Sequence, residues 1–338
     1  MKVKALPLQR VLAPLALILV TAFPAHALRI TSFYEIATFD IGAMVIDFAG
    51  IEPPKQTEAI TVEPGESTVW FTGSPKDSGK SYIYEAIANI TTKVLTFVGR
   101  VETGFYDEDQ GGNLAEGIAF LGRDTEKGLT RLLVTNAPDD PDEFGAFESG
   151  VYLFEFGAYG ASGEVAPTTK TLLKRASNLE GLGLDLRLDP DPSQLWAVDE
   201  RRDKLIPYDM DLSLLTLSGA GTASIGIDAP EGVEAFGGDV LVVDDGGHGP
   251  GKLVQLDSNG NPIPGEFLST VDLNHFTPEG RLWDPQGAAY DPMRRLVYLI
   301  GDDDNRITVL TPEPGAALLF AAQALAVGVA LRRRRILA

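Results

Sequence analysis

A repeat runs through the middle of this chain and limits its fold more than any single residue does. Five segments align: Glu58-Ala59-Ile60-Thr61-Val62, Glu116-Gly117-Ile118-Ala119-Phe120, Glu180-Gly181-Leu182-Gly183-Leu184, Glu231-Gly232-Val233-Glu234-Ala235 and Gln286-Gly287-Ala288-Ala289-Tyr290. Their first residues stand 58, 64, 51 and 55 positions apart. A period of this size marks an array of like supersecondary units, a solenoid or a propeller, in which each unit buries its apolar face only against its neighbours.

The residues between the repeats predict what each unit contains. A turn and a β-branched or aromatic run follow every segment, at Thr68 to Thr72, Arg131 to Thr135, Gln194 to Val198, Asp239 to Val243 and Arg295 to Ile300. Such runs read as strands buried on both faces. Third strands are expected at Ser81 to Ala86, Gly150 to Phe156, Lys204 to Asp209, Lys252 to Asp257 and Arg306 to Leu310, and fourth strands at Thr92 to Val98, Thr169 to Lys174, Ser213 to Leu217 and Glu266 to Val271. The fifth unit lacks a fourth strand, which Arg29 to Ile36 is placed to lend from the N-terminal side. With turns such as Asp189-Pro190, Asp257-Ser258-Asn259-Gly260 and Asp291-Pro292 and little helix signal, the expected fold is all-β: a β-propeller of four-stranded blades over residues 28–310, closed by an N-terminal strand. Five blades follow from the repeat, and a sixth stays open if Ala37 to Gly50 adds strands.

Composition narrows the chemistry. The 338 residues include no Cys, which excludes a disulfide scaffold, thiolate-ligated metal and thiol catalysis. A formal net charge of −20 argues against nucleic acid, whose phosphates need a cationic surface. Outside the N-terminal segment only His248 and His275 remain, with no H-E-x-x-H, no G-x-S-x-G elbow and no phosphate-binding G-x-x-x-x-G-K loop.

Both ends read as addresses. Lys2, Lys4 and Arg10 precede the apolar run Val11 to Phe23, and Ala25-His26-Ala27 supplies an A-x-A site, the pattern of a secretory signal peptide cut after Ala27 (residues 1–27). At the other end Pro312-Glu313-Pro314 precedes 17 uncharged residues, Gly315 to Leu331, and then Arg332 to Arg335. At ~1.5 Å per residue such a helix spans about 25 Å, the short limit for crossing a bilayer, with the arginines holding its end in the cytoplasm.

The order motif, apolar helix, Arg cluster over residues 311–338 resembles the PEP-CTERM sorting signal of Gram-negative, exopolysaccharide-producing bacteria. The resemblance implies an exosortase-type partner that recognises Pro312, Glu313 and Pro314, a transient anchor in the inner membrane, and a final place at the cell surface or in the extracellular matrix. Exopolysaccharide or another surface protein is then the expected partner.

In a propeller the first strand of each blade lines the central channel, so Glu58, Glu116, Glu180 and Glu231 would surround one mouth. Clustered carboxylates repel unless a cation sits among them, and an oxygen-only set suits calcium. Asn136, Asp199, Glu200, Asp244, Asp245, Asp302 and Asp303, at the ends of second strands, would add to the rim. A second reading stays open, in which the Glu-Gly step is a blade-entry turn whose carboxylate bonds backbone N–H groups. The acidic run Asp139, Asp140, Asp142 and Glu143 reads as an exposed hairpin loop, and His248 as part of a Gly-rich rim loop.

This blade pattern resembles the calcium-dependent propellers of the gluconolactonase and regucalcin type, and also phytase-like and NHL-type propellers. The lactonase resemblance implies a metal held by the Glu of a Glu-Gly-Pro step with an Asn and an Asp from other blades, and hydrolysis of a lactone or phosphoester. Only the first two positions of that step match here, at Glu116-Gly117, Glu180-Gly181 and Glu231-Gly232, with Ile118, Leu182 and Val233 in place of Pro. Three functions therefore stay open: an exported binding propeller, which leads; a calcium-dependent hydrolase working at the channel mouth; and a structural spacer with no ligand.

Overall fold

The computed structural model describes residues 33–75, 80–106, 115–136, 149–176, 179–184, 194–211, 216–218, 223–227, 229–236, 239–244, 251–257, 259–261, 271–272, 285–301 and 305–312. The signal segment, Glu313 and Pro314 and the apolar tail lie outside them, as do the acidic run at 139–143 and His248. Among the described residues no helix is long and apolar enough to cross a membrane.

Among the described residues twenty-two strands form five sheets. The chain opens with β1 (Phe33–Asp40) and then builds a first blade from β2 (Gln56–Val62), β3 (Thr68–Ser74), β4 (Lys80–Asn89) and β5 (Val94–Tyr106). The second blade holds β6 (Ile118–Asp124), β7 (Leu129–Asn136), β8 (Gly150–Phe156) and β10 (Thr169–Arg175), with β9 (Glu164–Val165) crossing to pair with β5 of the first. The third contains β11 (Leu179–Leu184), β12 (Gln194–Asp199), β13 (Lys204–Asp211) and β14 (Thr216–Ser218), plus β15 (Ala223–Ser224) on β13. The fourth has β16 (Pro230–Phe236), β17 (Asp239–Asp244), β18 (Lys252–Leu256) and β19 (Val271–Asp272). In the fifth, β20 (Pro285–Asp291), β21 (Leu296–Gly301) and β22 (Arg306–Pro312) are completed by β1.

The first strands β2, β6, β11, β16 and β20 neighbour one another in that order, and β20 returns to β2, so the sheets close into a five-bladed ring. The described part of the lent strand is Phe33–Asp40, which overlaps the expected Arg29 to Ile36 and runs on to Asp40; residues 29–32 lie outside the described residues. It must run the length of β22, pairing Phe33 with Pro312 and Asp40 with Arg306 through a bulge between Glu35 and Ala37. Residues 41–55 add no sixth blade. Ile41 and Met44 are buried against the first and fifth blades with Ile46, Phe48 and Ile51 packed beside them, and Val45 makes a single bridge to Thr96.

Second strands are buried on both faces because every blade is sandwiched between two others, so they carry continuous apolar runs such as Val240-Leu241-Val242-Val243. Alternate residues feed adjacent cores. Phe39, Phe71, Tyr84 and Tyr298 fill the space between the fifth and first blades, while Trp70, Phe120, Phe154 and Phe156 fill that between the first and second. Phe71 stacks on Tyr84 at 5.4 Å and Trp70 meets Phe156 edge-on at 5.7 Å, arrangements favoured by the ring quadrupoles.

Antiparallel pairing fixes which end of the ring each feature occupies. Pro285 pairs with Gly301, Gly301 with Arg306 and Arg306 with Asp40, so the starts of first and third strands share one end with the ends of second strands. This end is the mouth. Phe33 and Pro312 pair at the opposite end, where the chain enters and leaves the ring.

The second residue of the repeat explains how five strands fit around one axis. A Cβ on Gly181 would lie 2.6 Å from the Glu231 carbonyl oxygen and 2.7 Å from the Val233 nitrogen; on Gly232, 2.8 Å from the Gln286 oxygen; on Gly287, 2.9 Å from Ala59 Cα. These neighbours are backbone and cannot swing aside. Gly181→Ala and Gly232→Ala are each expected to destabilise the ring by about 1–3 kcal/mol, as overpacking does, whereas Gly157→Ala, with open space at ordinary φ, should stay within about 0.5 kcal/mol in chemical unfolding. Phe39→Ala in the lent strand, 1% exposed, should cost about 3–5 kcal/mol by the same measurement.

Candidate functional site

The repeat places Glu58, Glu116, Glu180, Glu231 and Gln286 level with one another at the mouth, each half-buried. Their shared height follows from the glycine contacts: Gly117 abuts the Glu180 carbonyl, Gly181 that of Glu231, Gly232 that of Gln286, and Gly287 that of Glu58. In β2, β11, β16 and β20 the ladder to the second strand shifts register at this step, between Thr57 and Ile60, Leu179 and Leu182, Pro230 and Gly232, and Pro285 and Gly287. Bulges of this kind re-aim side chains at a barrel or ring rim. Two blades brace the step with a threonine from the second strand: Thr72 Oγ1 accepts from Ala59 N at 3.1 Å, and Thr135 Oγ1 from Gly117 N at 2.6 Å.

Just inside the mouth the channel narrows to a void of about 10 Å³, room for roughly one water. Its lining includes Glu116 and Gln286 with the backbone of Gly181, Gly232 and Gly287 and the apolar side chains of Ile60, Ile118, Leu182 and Val233. A pocket of this size holds no sugar or lactone, so a ligand larger than water at this end would meet the face of the mouth.

The second-strand ends reach the same face, as the sequence suggests, and their side chains serve local structure. Asn136 is buried, and its Oδ1 accepts from Gly150 N at 3.0 Å, holding the start of the third strand. Asp199, 1% exposed, caps a 3-10 turn at Glu200–Arg202 by accepting from Arg202 N at 3.1 Å, and burial pushes its carboxyl above the usual range. Asp244 is buried with Lys252 Nζ at 3.5 Å. Among the described residues no three His, Asp or Glu side chains come together in a group able to hold a metal ion. Asp245, Asp302 and Asp303 lie outside the described residues, while Pro312 ends β22.

Several charged groups escaped the sequence reading because their partners sit on other blades. Glu164 of β9 binds Arg100 of β5, with Oε1 accepting from Nε at 2.7 Å, while the guanidinium lies 4.1 Å from the Tyr82 ring centre. Arg123 of the second blade reaches Glu63 at 2.7 Å and the buried Glu85 at 3.2 Å, both on the first. Lys170 donates to Thr103 O at 2.9 Å and sits 3.8 Å from the Phe105 ring centre; burial pulls its ammonium down to about 8. These groups clasp the first two blades to each other, Arg100 and Glu164 through β5 and β9 and Arg123 and Glu63 at the ends of the first strands. The recurring apolar periods that expose a propeller in sequence carry no trace of such cross-blade pairs.

The sequence matches no protein-family model and no curated protein. Solved structures with a similar chain path include a glutaminyl cyclase from Myxococcus xanthus, 13% identical with TM-score 0.49 over 83% of this chain and 97% of that one. A luciferin-regenerating enzyme is 13% identical with TM-score 0.43 over 83% and 95% of the two chains. A calcium-binding regucalcin from Agrobacterium tumefaciens is 16% identical with TM-score 0.36 over 80% and 96%. At such values these likenesses carry no argument, and the five-bladed ring rests on the strand pairing alone.

Proposed function

We propose that the chain is an exported binding protein, a rigid five-bladed ring that presents its carboxylate-bearing mouth to an extracellular ligand. The observation that carries this reading is the level ring of Glu58, Glu116, Glu180, Glu231 and Gln286 above a channel with room for about one water. A small pocket beneath a face that bears four carboxylates suits surface contact. A ligand that brings divalent cations complements that face, and an exopolysaccharide bridged by calcium is the partner this reading favours. The motif Pro312-Glu313-Pro314, the apolar run and the arginines support delivery by an exosortase-type enzyme to the cell surface.

Calorimetric titration of calcium into metal-stripped residues 28–312 tests the mouth. Saturable binding that Glu116→Gln and Glu180→Gln each weaken at least about tenfold, the worth of ~1.4 kcal/mol, supports it. Heat that shows no saturation and does not change in the variants would count against the mouth as a cation site. Saturable binding joined to turnover of a lactone or phosphoester would convert the reading to a hydrolase.

Asp199 distinguishes a structural carboxylate from a ligand. Its folded-state acid is weaker than the unfolded one, so the folded state holds the proton longer and stability falls as pH rises from about 4 through the raised value. At pH 7 and without calcium, Asp199→Asn should match or exceed the native melting midpoint, while Asp199→Ala loses the cap and about 1 kcal/mol. If Asp199 binds calcium, added calcium will raise the native midpoint and leave that of Asp199→Asn unmoved.

Export has its own check. Replacing Pro312, Glu313 and Pro314 by alanine should leave the protein in the inner-membrane fraction, and an unchanged distribution would remove the sorting motif from the account.

A further inference from the structure

The end of the ring opposite the mouth carries the apolar residues that folding leaves uncovered. Among the described residues the exposed large hydrophobic side chains are Val45, Ile87, Val94 and Met293, at 45%, 44%, 38% and 75%. Met293 occupies the turn between β20 and β21. Val94 opens β5 at its turn from β4, Ile87 pairs with Thr68 and Thr96 near that turn, and Val45 bridges to the same Thr96. All four thus sit at the end where Phe33 pairs with Pro312, on two neighbouring blades.

The turn that displays Met293 is held rigidly. Asp291, fully buried, accepts through Oδ1 from Gly65 N at 3.0 Å, Met293 N at 2.9 Å and Arg294 N at 3.1 Å. Arg294 Nη1 donates to the Glu66 carbonyl at 2.5 Å, so the turns of the fifth and first blades are tied together. Arg294 and the exposed Arg295 follow Met293; of the acids at this end Asp291 is engaged in the turn and Glu63 with Arg123, while Glu66 and Asp47 are exposed.

We infer that this end of the first and fifth blades rests on a lipid bilayer while the tail is in place, so that the mouth faces away from the membrane. The inference rests on the reading of Gly315 to Leu331 as a membrane segment. Only Glu313 and Pro314 separate Pro312 from that run, so the last described residue is within about 10 Å of its start. Val45, Ile87, Val94 and Met293 then enter the interfacial layer, with Arg294 and Arg295 at the level of the anionic headgroups.

The chain has no Cys, which makes single-cysteine labelling of the full chain clean. A fluorophore at Met293→Cys or Val94→Cys, and as a control at Arg201→Cys beside the mouth, is reconstituted into vesicles of phosphatidylcholine and phosphatidylglycerol carrying a headgroup-level spin-labelled lipid. Quenching at positions 293 and 94, and its absence at 201, is the expected result. Insertion with equal quenching at all three positions, or with quenching at 201 alone, overturns the orientation and leaves the tail reading standing. Failure of the full chain to enter vesicles overturns the tail reading, and the orientation falls with it.

Discussion

The ring depends on five first strands passing one another at backbone contact distance. Gly117, Gly181, Gly232 and Gly287 stand where a neighbouring carbonyl or Cα approaches to within 3 Å of the place a Cβ would occupy. Ordinary sheet-to-sheet packing keeps strands about 10 Å apart because side chains fill the gap. A ring of only five blades leaves no such gap near its axis. The smallest residues are therefore required at one level, and larger apolar side chains return farther out, in the interblade clusters around Trp70, Phe71, Leu133 and Val242. Narrow channel, level carboxylates and bulged first strands all follow from this contact.

Most of the fold is legible in the sequence because propeller blades are built from local pairings. Second and third strands pair with near neighbours in the chain, so a run such as Gln194 to Val198 and the turn after it predict β12 and β13 within a residue or two. The strand with a distant partner runs further than its own residues suggest. Arg29 to Ile36 satisfies β propensity, but the partner β22 decides where the lent strand ends, and it carries the pairing on to Asp40. The apolar residues between Ile41 and Ile51 look like strand material and serve as packing on a neighbouring core.

The site is legible in part. Glu116 and Glu180 stand out by repetition, and the structure keeps them level. What the glycine after each does cannot be seen in one unit, because its contact lies on the next blade some fifty or more residues away. Asn136 and Asp199 suggest ligands by residue type, yet each meets an N–H that only the folded hairpin brings close, from Gly150 and Arg202. Arg100 and Glu164 are invisible for the same reason, since β9 leaves its own blade to pair with β5.

The rigidity of the axis has a consequence for recognition. The first strands that carry the mouth carboxylates cannot be drawn inward by a ligand, because that drives a glycine into the neighbouring backbone, so a ligand gathers these groups only through side-chain torsions. The polar groups around them are partly committed: Asn136 to Gly150, Asp199 to Arg202, Asp244 to Lys252. A ligand at this face must either replace one of those bonds or meet the segments joining second to third strands. In sequence those segments hold Asp139, Asp140, Asp142, Glu143, Asp245 and Asp302, all of which lie outside the described residues. Specificity on such a scaffold resides in these connections, while the ring fixes where they start and end.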